Sequence, residues 1–153
     1  MHAISLPLKS GWTRTTDSWH GAARYSVSRK RRLFGGMDEA RDHAECALAH
    51  ATEPRQPLAL IAACRLLGEL DTDARRYDDA AKHLDASLDL ADTCQAPYER
   101  ALTLLAMAEL RAGTGETEAA RTLLDEVKTI CEPLGAKPAM AKAEALANRL
   151  TNG

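Results

Sequence analysis

Aromatic residues are scarce in this chain: one Phe, two Trp and three Tyr make up 4% of 153 residues. Sandwiches and barrels fill their cores with aromatic and β-branched side chains, so this shortage argues against an all-β fold. Long apolar runs are missing as well. No stretch reaches the roughly 18 apolar residues of a membrane-spanning helix, and no apolar core of about 7–15 residues follows a basic start as in a secretory signal. A cytoplasmic protein with no membrane partner is expected. The four cysteines, Cys46, Cys64, Cys94 and Cys131, stand far apart with no C-x-x-C pair. That spacing fits neither a disulfide framework nor a zinc knuckle and suits reduced thiols inside the cell. The chain also lacks a G-x-x-x-x-G-K-[ST] loop to cradle ATP and a G-x-S-x-G setting for a nucleophile. No enzyme activity and no cofactor are expected.

The apolar residues that are present, 45% of the chain, are mostly Ala and Leu, which favour closely packed helices. The expected fold class is all-α. Charge is unevenly distributed under a net value of -2. Residues 1–36 carry Lys9, Arg14, Arg24, Arg29, Lys30, Arg31 and Arg32 against Asp17 alone, a balance of about +6, which leaves about -8 for the rest. A run such as "SRKRR" is more often a solvated stretch than a nucleic-acid contact, so direct nucleic-acid binding is not expected.

One theme recurs. "PLALIAACRLLGEL" from Pro57 returns as "PYERALTLLAMAELR" from Pro97 and again as "PAMAKAEALANRL" from Pro138. A second series, Ala40, Ala80 and Ala119, shares the period of about forty. After each alanine an apolar stripe follows at offsets 0, 4, 7, 8 and 11, one face of an amphipathic helix, with Ser87 and Glu126 as lapses. The segments opened by proline are apolar around most of their circumference and so must be covered on several sides. Their prolines suit the first turn, where the missing N–H costs nothing. Outer helices are expected over 37–52, 76–93 and 116–132, and inner helices over 57–72, 97–112 and 138–150. Pro133 and Gly135 are expected to stop the third outer helix. Such hairpins cannot bury their stripes alone, and about three must stack.

"LLGELDTDARRYDDAAKHLDASLDLA" resembles the tetratricopeptide repeat. Leu67-Gly68 stand where that family has its Leu-Gly pair, Tyr77 opens the second helix three residues before Ala80, and Leu84 stands at the large-residue position. Ser87 and Glu126 depart from the family's small residue, and Ala108 replaces the glycine in the next copy. The text from Glu99 to Leu146 is similar to the C-terminal helical repeats of bacterial LuxR-type and ATPase-coupled transcriptional regulators. The resemblance covers about 37–150. It implies a right-handed α-solenoid of about three repeats over 37–151, preceded by a basic segment, 1–36, that is either poorly ordered or a degenerate first helix near 18–34. It implies the repeat portion of a regulator, a truncated product or a stand-alone relative.

His43, Cys46 and His50 share one side of the first outer helix at i, i+3 and i+7, a possible metal set, but they fall off the apolar stripe where solvated residues belong. No metal is expected. Asp78 and Asp79 are explained by the helix dipole. By the family's geometry the inner helices line a concave face, on which Arg65, Glu69, Leu105 and Glu109 are the candidate partner contacts; Arg65 and Glu69 are also spaced to pair with each other. The expected function is non-catalytic: docking of a protein, peptide or effector on that face. The alternative is a structural element in which terminal helices pair two copies and no third partner exists.

Overall fold

The computed structural model describes residues 36–52 and 56–153, and the expectation of a helix near 18–34 lies outside them. The described residues form six helices and no strand: α1 Met37–Thr52, α2 Pro57–Asp73, α3 Tyr77–Thr93, α4 Pro97–Gly113, α5 Thr117–Leu134 and α6 Lys137–Asn152. The chain is all-α, and each boundary falls within two residues of the one read from the periodicity. Proline stands in the first turn of α2, α4 and α6. None of the residues preceding α2 to α6 caps its helix through a side chain. Instead acidic residues occupy the first turn of α1, α3, α4 and α5, including Asp78 and Asp79, where they oppose the positive end of the dipole.

The helices begin at 37, 57, 77, 97, 117 and 137, so the unit that repeats is twenty residues, one helix and one turn. The apparent period of forty arises because alternate helices share a burial pattern. The turns that follow α2, α3, α4 and α5 are alike. Arg75, Gln95, Gly115 and Gly135 have φ of 59°, 50°, 81° and 62°. Around each, the left-handed residue donates to the carbonyl three back, and the next residue donates to the carbonyl five back, as Arg76 does to Asp71 at 2.8 Å and Ala96 to Ala91 at 2.9 Å. This is a Schellman closure, which satisfies carbonyls orphaned at the helix end. Gly135 therefore ends α5, while Pro133 lies inside its last turn. Pro133 has no N–H for the ladder bond to the carbonyl four back, but the helix closes only through the following Gly135 and Ala136.

Glycine accepts a left-handed backbone at no steric cost, and Arg75 and Gln95 do not. Arg75→Gly and Gln95→Gly are each expected to raise unfolding stability by about 0.5–1 kcal/mol, and Gly115→Ala and Gly135→Ala to lower it by a similar amount. Urea titrations of the four variants check this. If glycine at 95 lowers stability, unfolded-chain entropy dominates and the turn argument fails.

Every helix packs on its sequence neighbours; in addition α2 packs on α4 and α4 on α6, and among the described residues no other pair of helices touches. The core is correspondingly spread along the chain. Ala40, Ala44, Leu66, Leu67 and Leu70 form one cluster between α1 and α2; Ala80, Leu84, Ala106 and Leu110 a second between α3 and α4; a third joins α4, α5 and α6 around Leu104, Leu124, Val127 and Leu146. The buried stripes read Ala40, Ala44, Ala47, Ala51; Ala80, Leu84, Ser87, Ala91; and Ala120, Leu124, Val127, Cys131. This corrects the third copy by one residue: Ala119 is exposed, and Glu126 is no lapse in the stripe but a flank residue whose carboxylate accepts from Arg100 at 2.5 Å.

Ser87 is a true polar member of the core. Its hydroxyl lies 3.0 Å from the Ile61 carbonyl and 2.9 Å from the Thr103 hydroxyl, which itself lies 2.9 Å from the Glu99 carbonyl. Two hydroxyl protons serve three contacts across α2, α3 and α4, so one of the three lacks a proton at any moment.

Candidate functional site

The inner helices α2, α4 and α6 bring their C-terminal ends to one cleft of about 510 Å³. Thr72 and Asp73 line it from α2, Glu109, Ala112 and Gly113 from α4, and Leu146, Arg149 and Leu150 from α6. Ala112, Gly113, Leu146 and Leu150 form its apolar part. The negative ends of three helix dipoles point the same way, and the carboxylates of Asp73 and Glu109 add to them. Arg149, in the last turn of α6, is placed where a cation is favoured by that helix's own dipole. The cleft can hold a ligand of peptide or small-molecule size, with cationic groups favoured on the α2 and α4 side.

Of the four residues expected to face a partner, Glu109 lines this cleft and Glu69 is half-buried on α2. Arg65 and Leu105 are each only 6% exposed. Arg65 donates to Glu99 of α4 at 2.6 Å, tying two inner helices together. This contact reaches the next inner helix, thirty-four residues away, and i, i+4 spacing does not reveal it. Leu105 belongs to the core cluster shared with α5 and α6.

A second polar centre lies beside the cleft and was not visible in the sequence. Asp71, 1% exposed near the end of α2, accepts from Arg41 of α1 and from His83 of α3 at 2.8 Å, and pairs with Arg76 in the following turn at 3.0 Å. A carboxylate accepts only, so His83 Nδ1 carries the proton in this bond. The hub joins three helices, and it fixes the start of α1 next to the end of α2. A further link runs from Arg100 of α4 to Asp92 of α3 at 2.8 Å and to Glu126 of α5. These two carboxylates, the Glu126 hydrogen bond foremost, hold the Arg100 guanidinium above its ordinary value.

The cysteines are distributed rather than gathered. Burial pushes the Cys64 and Cys131 thiols up, away from the thiolate that nucleophilic or metal chemistry needs. Cys94 is exposed and Cys46 half-buried. His43, Cys46 and His50 do not converge, and among the described residues no group of three His, Cys, Asp or Glu side chains is placed to hold a metal ion. In the turn after α4, Glu116 is held below the usual carboxylate range by the Thr114 hydroxyl and then by Arg111. Among the described residues no helix is long and apolar enough to cross a membrane.

No protein-family model and no curated protein matches this sequence.

Proposed function

We propose that this chain is a non-catalytic docking module, a tetratricopeptide-like right-handed α-solenoid of about three repeats that takes a protein or peptide on the face formed by α2, α4 and α6. The observation that carries this reading is the contact order. Inner helices touch one another in series, α2 to α4 to α6, while the outer helices α1, α3 and α5 do not touch each other. Helices laid side by side in this way expose one continuous inner face, and the cleft lies on it. Glu69 and Glu109 supply contacts there, and Arg65 and Leu105 support the face from beneath. Derivation from a LuxR-type regulator, and with it a cytoplasmic role in signal transduction, rests on sequence resemblance alone.

The second reading, end-to-end pairing of two copies, is disfavoured at α6. The face of α4 that receives α5 presents Leu104 and Ala108, both buried. The corresponding residues of α6 are Glu144 and Asn148, both exposed. Covering them with a second copy would bury a carboxylate and an amide, a cost unless each finds a partner.

Selection of binders from a random peptide library on the full-length chain tests the docking reading. Selected peptides are expected to lose about tenfold or more in affinity on Glu109→Lys/Arg149→Glu, which inverts the cleft's charges, and to keep it on Asp85→Lys on the outer face of α3. Peptides indifferent to the cleft substitution would overturn the assignment. Light scattering addresses the second reading: a tight dimer at micromolar concentration would favour it over docking.

A further inference from the structure

Resting on the docking reading, we infer that the cleft at the ends of α2, α4 and α6 is regulated by the chain's own basic segment: the stretch Arg29 to Arg32 competes for it in cis. Three observations lead there. First, the charges match. The cleft presents Asp73 and Glu109 together with three helix C-termini, which favour cations, against Arg149 of α6. Residues 1–35 carry about +6 and the remainder of the chain about -8. Second, α1 begins beside the same C-terminal end of α2 that lines the cleft. Arg41, one turn into α1, bonds Asp71, which lies two residues before the cleft residue Asp73. Third, the basic stretch lies four to seven residues before Gly36. At about 3.3–3.6 Å per residue it reaches at most about 13–25 Å from that point, a span comparable to the width of two or three packed helices.

The consequence is a site whose affinity for an outside cationic ligand depends on displacing an internal one. An external partner then binds more weakly than the cleft alone would allow, and modification or capture of the basic stretch elsewhere frees the face. Exposed ion pairs are individually weak and screened by salt, so the self-contact is of the reversible kind such regulation needs.

Timed tryptic cleavage of the full-length chain after Arg29 to Arg32 tests the inference. In Asp73→Asn/Glu109→Gln, whose circular dichroism should match the parent, cleavage is expected to quicken about three- to tenfold, the scale of two exposed ion pairs. Raising salt to about 0.5 M should quicken the parent to the same extent and the variant little. Both tryptophans of the chain, Trp12 and Trp19, belong to the segment, so acrylamide quenching of their fluorescence should rise in the same variant. Asp85→Asn/Asp89→Asn on the outer helix α3 should change neither readout. A cleavage rate within twofold of the parent in Asp73→Asn/Glu109→Gln overturns the inference. So does protection that grows with protein concentration, which would place a second copy's segment in the cleft. The digest contains no external partner, so its failure removes self-competition while the docking reading stands or falls by peptide selection.

Discussion

Leu84→Ala is expected to destabilise the fold by about 2–5 kcal/mol, and adding Gly68→Ala to it should recover part of that loss. Leu84 is 0% exposed and packs where α2 and α3 approach most closely. A methyl group at Gly68 would stand 2.5 Å from Leu84 Cγ and 2.6 Å from its Cδ2, with the Ala80 carbonyl at 3.3 Å. Cγ is not the free end of a flexible chain, so in the Leu84 background the two helices must part. Gly68→Ala alone gains about 1 kcal/mol of helix propensity but loses about 1–3 to overpacking, a net cost of up to about 2 kcal/mol. The following hairpin shows the expected compromise: Ala108 stands forty residues after Gly68, Leu124 forty after Leu84, and both are buried in one cluster. With Leu84 truncated, the methyl at 68 enters the vacated space and its penalty disappears. A double-mutant cycle by urea unfolding should therefore show a coupling of about 1–3 kcal/mol in favour of the double variant. Strict additivity would mean that the helix pair already relaxes to accept a Cβ, and that the close approach is not what glycine supplies.

The helices were legible because Ala and Leu recur at helical spacing and proline marks three of the starts. The register of α5 was not. Ala119 and Ala120, Leu123 and Leu124, and Ile130 and Cys131 are adjacent apolar pairs, so two stripes one residue apart fit nearly equally well. The burial of Val127 and the exposure of Ala119 follow from where the preceding turn closes, at Gly115, and a left-handed residue repeated every twenty positions is hidden when two of its four occupants are Arg75 and Gln95. The candidate face was legible in outline, since the inner helices do meet one another, but Arg65 and Leu105 were assigned outward from a family pattern. Periodicity says which side of a helix is covered, while an ion pair between Arg65 and Glu99 depends on how far two helices slide past each other. The Asp71 hub has the same character: Arg41, Asp71 and His83 belong to three helices and carry no local signature.

Asp71→Ala is expected to cost about 2–3 kcal/mol, and the loss should fall unevenly on the chain. Hydrogen bonds to a charged group contribute about 1.5–3 kcal/mol, and Asp71 accepts from Arg41 and His83 and pairs with Arg76. Arg41, Arg76 and His83 all have access to water, with side-chain exposures of 23%, 50% and 35%, so rehydration softens the loss below that of an isolated buried pair. Asp71→Asn keeps the shape but places an amide nitrogen opposite one of the donors, and should cost about 1–2 kcal/mol. Among the described helices α1 packs on α2 alone, and the hub ties its start to that helix through Arg41. Hydrogen exchange in Asp71→Ala should therefore quicken across Met37–Thr52 well before it quickens in α4 to α6. The opposing term is the carboxylate's own desolvation, which substitution relieves. If Asp71→Leu proves neutral or stabilising while α1 keeps its protection, that term outweighs the three contacts, and the hub selects how α1, α2 and α3 meet without strengthening their union.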